Sequence, residues 1–136
     1  MSQENEYKDI IDAAFSAMEH AYAPYSNYHV GACVKLKNGK LIVGVNVENA
    51  SYGLTNCAER SAIFATYSLG YTKDDIVALG IVSDGEKLAY PCGACRQVLV
   101  ELLNGDTPIV LSNRKDFKVT NIMELLPMSF TKEDVL

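Results

Sequence analysis

Ile76-Val77-Ala78-Leu79-Gly80-Ile81-Val82, then Pro91-Cys92-Gly93-Ala94-Cys95-Arg96-Gln97-Val98-Leu99-Val100-Glu101-Leu102-Leu103, then Thr107-Pro108-Ile109-Val110-Leu111 are the segments that decide the fold. The first is an unbroken apolar run, the pattern of a strand buried on both faces. The second places Val98, Leu99, Leu102 and Leu103 inward on a helix over Gly93–Leu103, with Gly105 just past its end. The third reads as another strand. Strand and helix in alternation imply parallel pairing through right-handed crossovers. Ligands of such sheets bind beyond the carboxyl ends of the strands, where Cys92 and Cys95 fall.

Working outward, Tyr7 to Ala21 carries Ile10, Ile11, Ala14, Phe15 and Met18 at helical spacing, and Pro24 and Ser26-Asn27 end that helix. Tyr28, Val30, Ala32, Val34 and Leu36 alternate as a strand does. Asn38-Gly39 predicts a two-residue hairpin turn, with Leu41, Val43, Val45 and Val47 on the return strand. Cys57 to Leu69 reads as a helix closed by Gly70. Phe117–Val119 is predicted as a short edge strand, and Asn121–Leu126 as a short helix before Pro127. The order is α-β-β-α-β-α-β with a short terminal β-α.

The 136 residues are enough for one domain, taken as 1–136, and too few for two. With 49% hydrophobic and 21% charged residues the chain has a globular composition. The net charge of -5 comes with no Lys/Arg run, which argues against a nucleic-acid partner. The N-terminal MSQENEYKD is polar and lacks the apolar centre of a signal peptide, and no apolar run approaches a membrane span. These features predict a cytoplasmic protein with no membrane partner, and a reducing compartment argues against disulfides among the four cysteines.

The chemistry sits in Cys57-Ala58-Glu59 and Pro91-Cys92-Gly93-Ala94-Cys95. Cys92 and Cys95 lie one helical turn apart and offer two sulfurs to one ion. By itself a C-x-x-C is ambiguous among redox, structural-zinc and catalytic-zinc sites. Cys57 supplies a third thiolate, and Glu59 a carboxylate beside it. Three protein ligands and an open fourth position describe a catalytic zinc site, and a carboxylate that is not a ligand can move the proton of the activated water. Helix N-termini favour the thiolate form at each ligand. Three thiolates leave the site with a net negative charge, so a nearby cation would restore the metal's Lewis acidity. Arg60 is the first candidate and Arg96, next to Cys95, the second. Asn46 and Glu48 stand two apart on a strand and share a face. Cys33, His20 and His29 match no ligand position.

Four stretches carry a resemblance: AYAPYSNYHVGACVK from Ala21, GVNVENASYGLTNCAERSA from Gly44, PCGACRQVL from Pro91 and ELLPMSF from Glu124. Together they resemble the small homotetrameric zinc-dependent cytidine deaminases over nearly the whole chain. The resemblance implies a three-layer α/β/α cytidine-deaminase-like fold of the α/β class, a mixed five-stranded sheet with helices on both faces. It implies one Zn2+ per subunit on Cys57, Cys92 and Cys95, Glu59 as catalytic proton shuttle, and an arginine, Arg60, in contact with the ligand cysteines. It implies that Asn46 and Glu48 bind the ribose, that Tyr28 stands where a phenylalanine is common, and that backbone near Ala58 holds the pyrimidine carbonyl. Phe130, and Tyr52 with it, would reach a neighbouring subunit's pocket. The activity implied is hydrolytic deamination of cytidine and 2′-deoxycytidine in pyrimidine salvage. Deaminases of cytosine antibiotics such as blasticidin S are similar at the metal but resemble NVYH rather than NVEN at the sugar strand, which favours a nucleoside here. A deaminase of RNA or single-stranded DNA would show basic stripes. A non-catalytic zinc module would close the site with a fourth protein ligand.

Overall fold

The computed structural model describes residues 3–135, so Met1 and Ser2 of the polar N-terminal stretch lie outside it. Five strands, β1 (Val30–Leu36), β2 (Leu41–Val45), β3 (Ile76–Ser83), β4 (Ile109–Ser112) and β5 (Phe117–Thr120), form one sheet in the order β2-β1-β3-β4-β5. The helices are α1 (Gln3–Glu6), α2 (Lys8–Met18), α3 (Ala58–Ser68), α4 (Gly93–Leu102) and α5 (Ile122–Leu125). Among the described residues, no helix is long and apolar enough to cross a membrane.

The sheet is mixed and five-stranded, as the resemblance implies, and one part of the expected parallel pairing is corrected: β2 does not pair with β3. Only β3 and β4 pair in parallel. β1 lies between β2 and β3 and is antiparallel to both. The β2-α3-β3 crossover therefore spans a strand, and the two strands it joins run the same way without touching. β5 is the antiparallel edge strand that its short pattern predicts.

β3 shows why its unbroken apolar run is needed. Ala78 and Val82 pack with Ile10, Ala14, Phe15 and Cys33 beneath α2. Leu79 and Ile81 face the opposite side, with Ala62, Ile63 and Leu99 from α3 and α4. The sheet is thus covered on both faces in three layers. Each large side chain fully buried here, Ile10 or Leu79 for example, stabilises the fold by roughly 1.5–3 kcal/mol. Cys33 is buried completely and free, a small apolar filler.

Element ends differ from the sequence reading for local reasons. α2 stops at Met18, because His20 and Ala21 donate to Ala17 and Met18 and tighten the last turn. Tyr28 precedes β1, since its N–H goes to Ser26 Oγ (3.0 Å) and its carbonyl accepts from Asn46 Nδ2 (2.8 Å). β2 ends at Val45, and Val47 makes isolated bridges to Tyr22 and Asn56. The hairpin is a three-residue loop rather than a two-residue turn. Gly39 N donates to Leu36 O and Leu36 N to Lys40 O, both at 2.9 Å, and of Asn38 and Gly39 only Gly39 has a positive φ, 88°. That is a turn followed by a left-handed glycine, which avoids the positive φ that the two-residue form asks of Asn38.

Candidate active site

Cys57 is the N-cap of α3 and Cys92 the N-cap of α4, both in extended conformation, and neither side chain makes a capping hydrogen bond. The positions that usually hold Ser, Thr or Asp to bind free N–H groups hold sulfur instead. β2 and β3 run the same way, and each is followed by one of these helices. Topology thus delivers both helix N-termini to one edge of the sheet. Close packing fixes α3 there: a Cβ on Gly44 of β2 would stand 2.4 Å from Ala62 N and 2.7 Å from Ala58 O.

The sulfurs of Cys57, Cys92 and Cys95 lie within 4.8 Å of one another. Cys92 Sγ is 3.9 Å from Cys57 Sγ and 3.5 Å from Cys95 Sγ. Tetrahedral zinc with Zn–S bonds of about 2.3 Å calls for sulfurs about 3.8 Å apart. The trio fits that metal, and among the described residues no His, Asp or Glu joins it as a fourth ligand. All four cysteines are free.

The surroundings of Cys57 favour its thiolate. Cys57 is held down at about 5, chiefly by the hydrogen bond with Cys95 and further by Arg60, whose Nη2 donates to Cys57 Sγ at 3.3 Å. The same pairing with Cys57, together with burial, pushes the Cys95 thiol up. A metal ion bound to the trio would displace the proton retained at Cys95. Arg60 in turn is held firmly cationic by its bond to the Cys57 sulfur. Its Nε is buried with no hydrogen-bond partner among the described residues. Arg96 does something else. Its Nε and Nη1 donate to the carbonyls of Pro91 and Leu125, both at 2.7 Å, tying the metal loop to α5.

Glu59, in the first turn of α3, is only 5% exposed, and burial pushes its carboxyl up to about 7. It shares a cavity of about 210 Å³ with Cys57, Cys92, Ala58, Asn46 and Tyr28. Val30, Thr55, Ala89 and Tyr90 complete the wall, and no motif marks them in the sequence. Proximity was the available signal: Thr55 precedes Cys57 by two residues, Tyr90 precedes Cys92 by two, and Val30 follows Tyr28 by two.

The other predicted substrate-binding residues are placed differently from one another. Asn46 lines the cavity, but its amide is engaged within the chain, accepting from Val30 N (2.9 Å) and donating to Tyr28 O. Glu48 is not in the lining. Its Oε1 accepts from Tyr25 N (3.0 Å) and Ser26 N (3.1 Å), and its Oε2 from the Ser26 hydroxyl, the contact that chiefly keeps its carboxyl below the usual range. Tyr52 and Phe130 are 76% and 63% exposed and stand outside their own chain's cavity.

Three sulfurs at two helix N-termini, beside a cavity that Cys57, Cys92 and the buried Glu59 line, form a group suited to hold a metal ion. The family model for the cytidine and deoxycytidylate deaminase zinc-binding region matches residues 4–111. The cytidine deaminase of Halalkalibacterium halodurans is 50% identical over 93% of this chain and 95% of its own length. That of Sporosarcina psychrophila is 44% identical over 93% of this chain and 92% of its own. The crystal structure of cytidine deaminase from Burkholderia pseudomallei superposes with a TM-score of 0.88 at 46% identity, covering 91% of this chain and 98% of that one. The chain belongs to the cytidine deaminase family and is a zinc-dependent enzyme.

Proposed function

We propose that this single-domain enzyme hydrolyses cytidine and 2′-deoxycytidine to uridine and 2′-deoxyuridine with release of ammonia, in cytosolic pyrimidine salvage. The observation that carries the reading is Glu59 buried in the same cavity as Cys57 and Cys92. Zinc held by the three sulfurs would supply a water acidic enough to lose a proton near neutrality. Glu59 takes one proton of that water and passes it to ring N3 as the water oxygen bonds to C4; it then takes the remaining hydroxyl proton and passes it to the amine, so that C4 becomes a carbonyl, the C4–N bond breaks and ammonia leaves. A carboxyl raised to about 7 by burial suits a group that must both accept and donate.

Backbone at the buried Ala58 binds the pyrimidine carbonyl, and Asn46 and Glu48 bind the ribose. Glu48 accepts three hydrogen bonds inside the chain, and a carboxylate has about four acceptor positions, so one remains for a sugar hydroxyl. The active unit is a homotetramer with shared sites. The large exposure of Tyr52 and Phe130, away from their own cavity, supports their service to a neighbour. Arg60 offsets the excess negative charge of three thiolates, and its bond to Cys57 supports that role over Arg96's.

Turnover of cytidine, 2′-deoxycytidine, cytosine, blasticidin S and a cytosine oligonucleotide by the zinc-loaded enzyme tests the reading. The two nucleosides should react and the other three should be poor. Preference for the antibiotic or the oligonucleotide would overturn it.

A further inference from the structure

We propose that Asp84 and Gly85, in the turn that follows β3 and outside the cavity lining, are positioning residues that seat Tyr28 in the cavity wall and thereby set affinity for the nucleoside. The inference rests on the reading of this cavity as the nucleoside's.

Two independent features converge on Tyr28. The first is a clamp on the adjacent residue. His29 N donates to Asp84 Oδ1 at 3.0 Å, His29 Nδ1 lies 2.7 Å from Asp84 Oδ2, and Asp84 N donates to His29 O at 3.2 Å. Three contacts between one pair of residues fix the backbone on the C-terminal side of Tyr28. Without them the segment from Pro24 to His29, which lies between α2 and β1 and belongs to no strand, would be held by Glu48, by Asn46 and by the Asn27 N–H bond to Ala23 O, none of which fixes the backbone of His29.

The second feature is a shelf for the ring. A Cβ on Gly85 would stand 2.7 Å from Tyr28 Cε1, with every other neighbour at 3.6 Å or more. The ring therefore rests on bare backbone, and any side chain at 85 must push the ring itself. Gly85 lacks the positive φ of Gly39 and Gly70, so alanine suits its backbone and its effect falls on the ring. The shelf is anchored from the far side. Asn113, 6% exposed, donates through Nδ2 to Gly85 O at 3.1 Å and Glu86 O at 3.0 Å.

A thermodynamic cycle tests the assignment on the zinc-loaded enzyme. Gly85→Ala should raise KM for cytidine about tenfold or more, the scale of a misplacement near one ångström, with kcat little changed and zinc content kept. If Gly85 acts through the ring, adding Gly85→Ala to Tyr28→Ala should change KM by less than about twofold, whereas an independent structural effect would add in full. Asp84→Asn keeps an acceptor for His29 N–H and should recover most of what Asp84→Ala loses, a second arm that does not rely on Gly85. An unchanged KM in Gly85→Ala, the same rise with and without Tyr28, or equal losses in the two Asp84 variants would each overturn the proposal. NMR of ring-labelled tyrosine gives a readout free of activity: the Tyr28 signal, identified by its absence in Tyr28→Ala, should move in Gly85→Ala. If wild type fails to deaminate cytidine, the functional reading falls, and an unmoved Tyr28 signal would still count separately against the shelf.

Discussion

Replacing Glu59 with Gln removes the proposed proton carrier and almost nothing else. The shape of the side chain is kept, the three sulfurs are untouched, and zinc content should remain one per chain. The size of the loss follows from the cavity. General acid–base groups contribute about 10²–10⁴-fold, and the lower end applies where a neighbour or bulk water can substitute. Here Glu59 is 5% exposed, and the other residues of the cavity wall include no carboxylate and no histidine. The upper end is therefore expected, about 10⁴-fold in kcat or more, close to 5.5 kcal/mol of barrier. Glu59→Ala should lose as much and, by opening space, somewhat more stability. The assay is the absorbance change from cytidine to uridine under saturating substrate, paired with metal analysis and a melting curve on the same preparation. A Glu59→Gln enzyme that keeps its zinc and turns over within tenfold of wild type would refute the role. Loss of zinc along with activity would show instead that Glu59 helps to hold the metal.

Four further outcomes follow. Single Cys→Ala changes at 57, 92 and 95 should each abolish tight zinc binding, whereas Cys33→Ala should keep one zinc per chain, since Cys33 is buried on the opposite face under α2; metal analysis of the four variants decides this. Arg60→Gln should retain zinc and lower kcat about 10–100-fold, the scale of outer-sphere changes at metal sites, and an unaltered pH–rate profile would make Arg60 merely structural. The Lys35 hydrogen bond lowers the Asp9 carboxyl, so the stability it adds is present above the ordinary value of 3.8 and is lost as pH falls below it. With both partners partly exposed the gain over Asp9→Asn at pH 7 should be only about 0.2–1 kcal/mol, vanishing in denaturation curves taken toward pH 2. Mixing Phe130→Ala chains with Glu59→Ala chains should restore activity above either parent by pairing an intact Glu59 with a donated Phe130; proven subunit exchange without rescue would rule out the shared site.

Local chemistry was easier to read from the chain than long-range placement. The apolar run of Ile76–Val82 specifies a strand covered twice, because a run without polar positions has no face to give to water. Cys57 and Cys92 declared themselves by type and spacing. The neighbour of β2, by contrast, is not written in any local pattern. Insertion of β1 between β2 and β3 depends on the hairpin folding back before the crossover, a choice made by sheet packing as a whole. The hairpin loop differs from the predicted two-residue turn because Asn-Gly serves two turn geometries, and only the pairing of Leu36 with Lys40 distinguishes them. Glu48 shows the same limit at the site. Strand alternation placed it on Asn46's side, yet the chain reverses around Tyr22–Ser26 and presents three donors to its carboxylate. Sequence spacing carries no information about a loop that returns from 22 residues away.

The placement of Cys57 at a helix cap, rather than inside the helix, is what brings its sulfur and the carboxylate of the proposed proton carrier, Glu59, to one cavity. Side chains two apart on an α-helix diverge by about 200° around its axis. Were Cys57 helical, it and Glu59 would point to opposite sides, and only one could face the cavity. Its ψ of 155° takes it off the helical spiral, while Glu59 stays on the first turn, and both line one space. Arg60 then lies three residues from Cys57, close enough for its guanidinium to return to the sulfur at 3.3 Å. One helix start thus places a metal-ligand sulfur, the proposed proton carrier and the proposed countercharge within four consecutive positions. Gly44 holds that start against β2 at a distance no side chain would permit. Lengthening α3 backward by one residue would keep all the residue types while rotating Cys57 away from Glu59. The site therefore depends on where the helix begins as much as on which residues it contains.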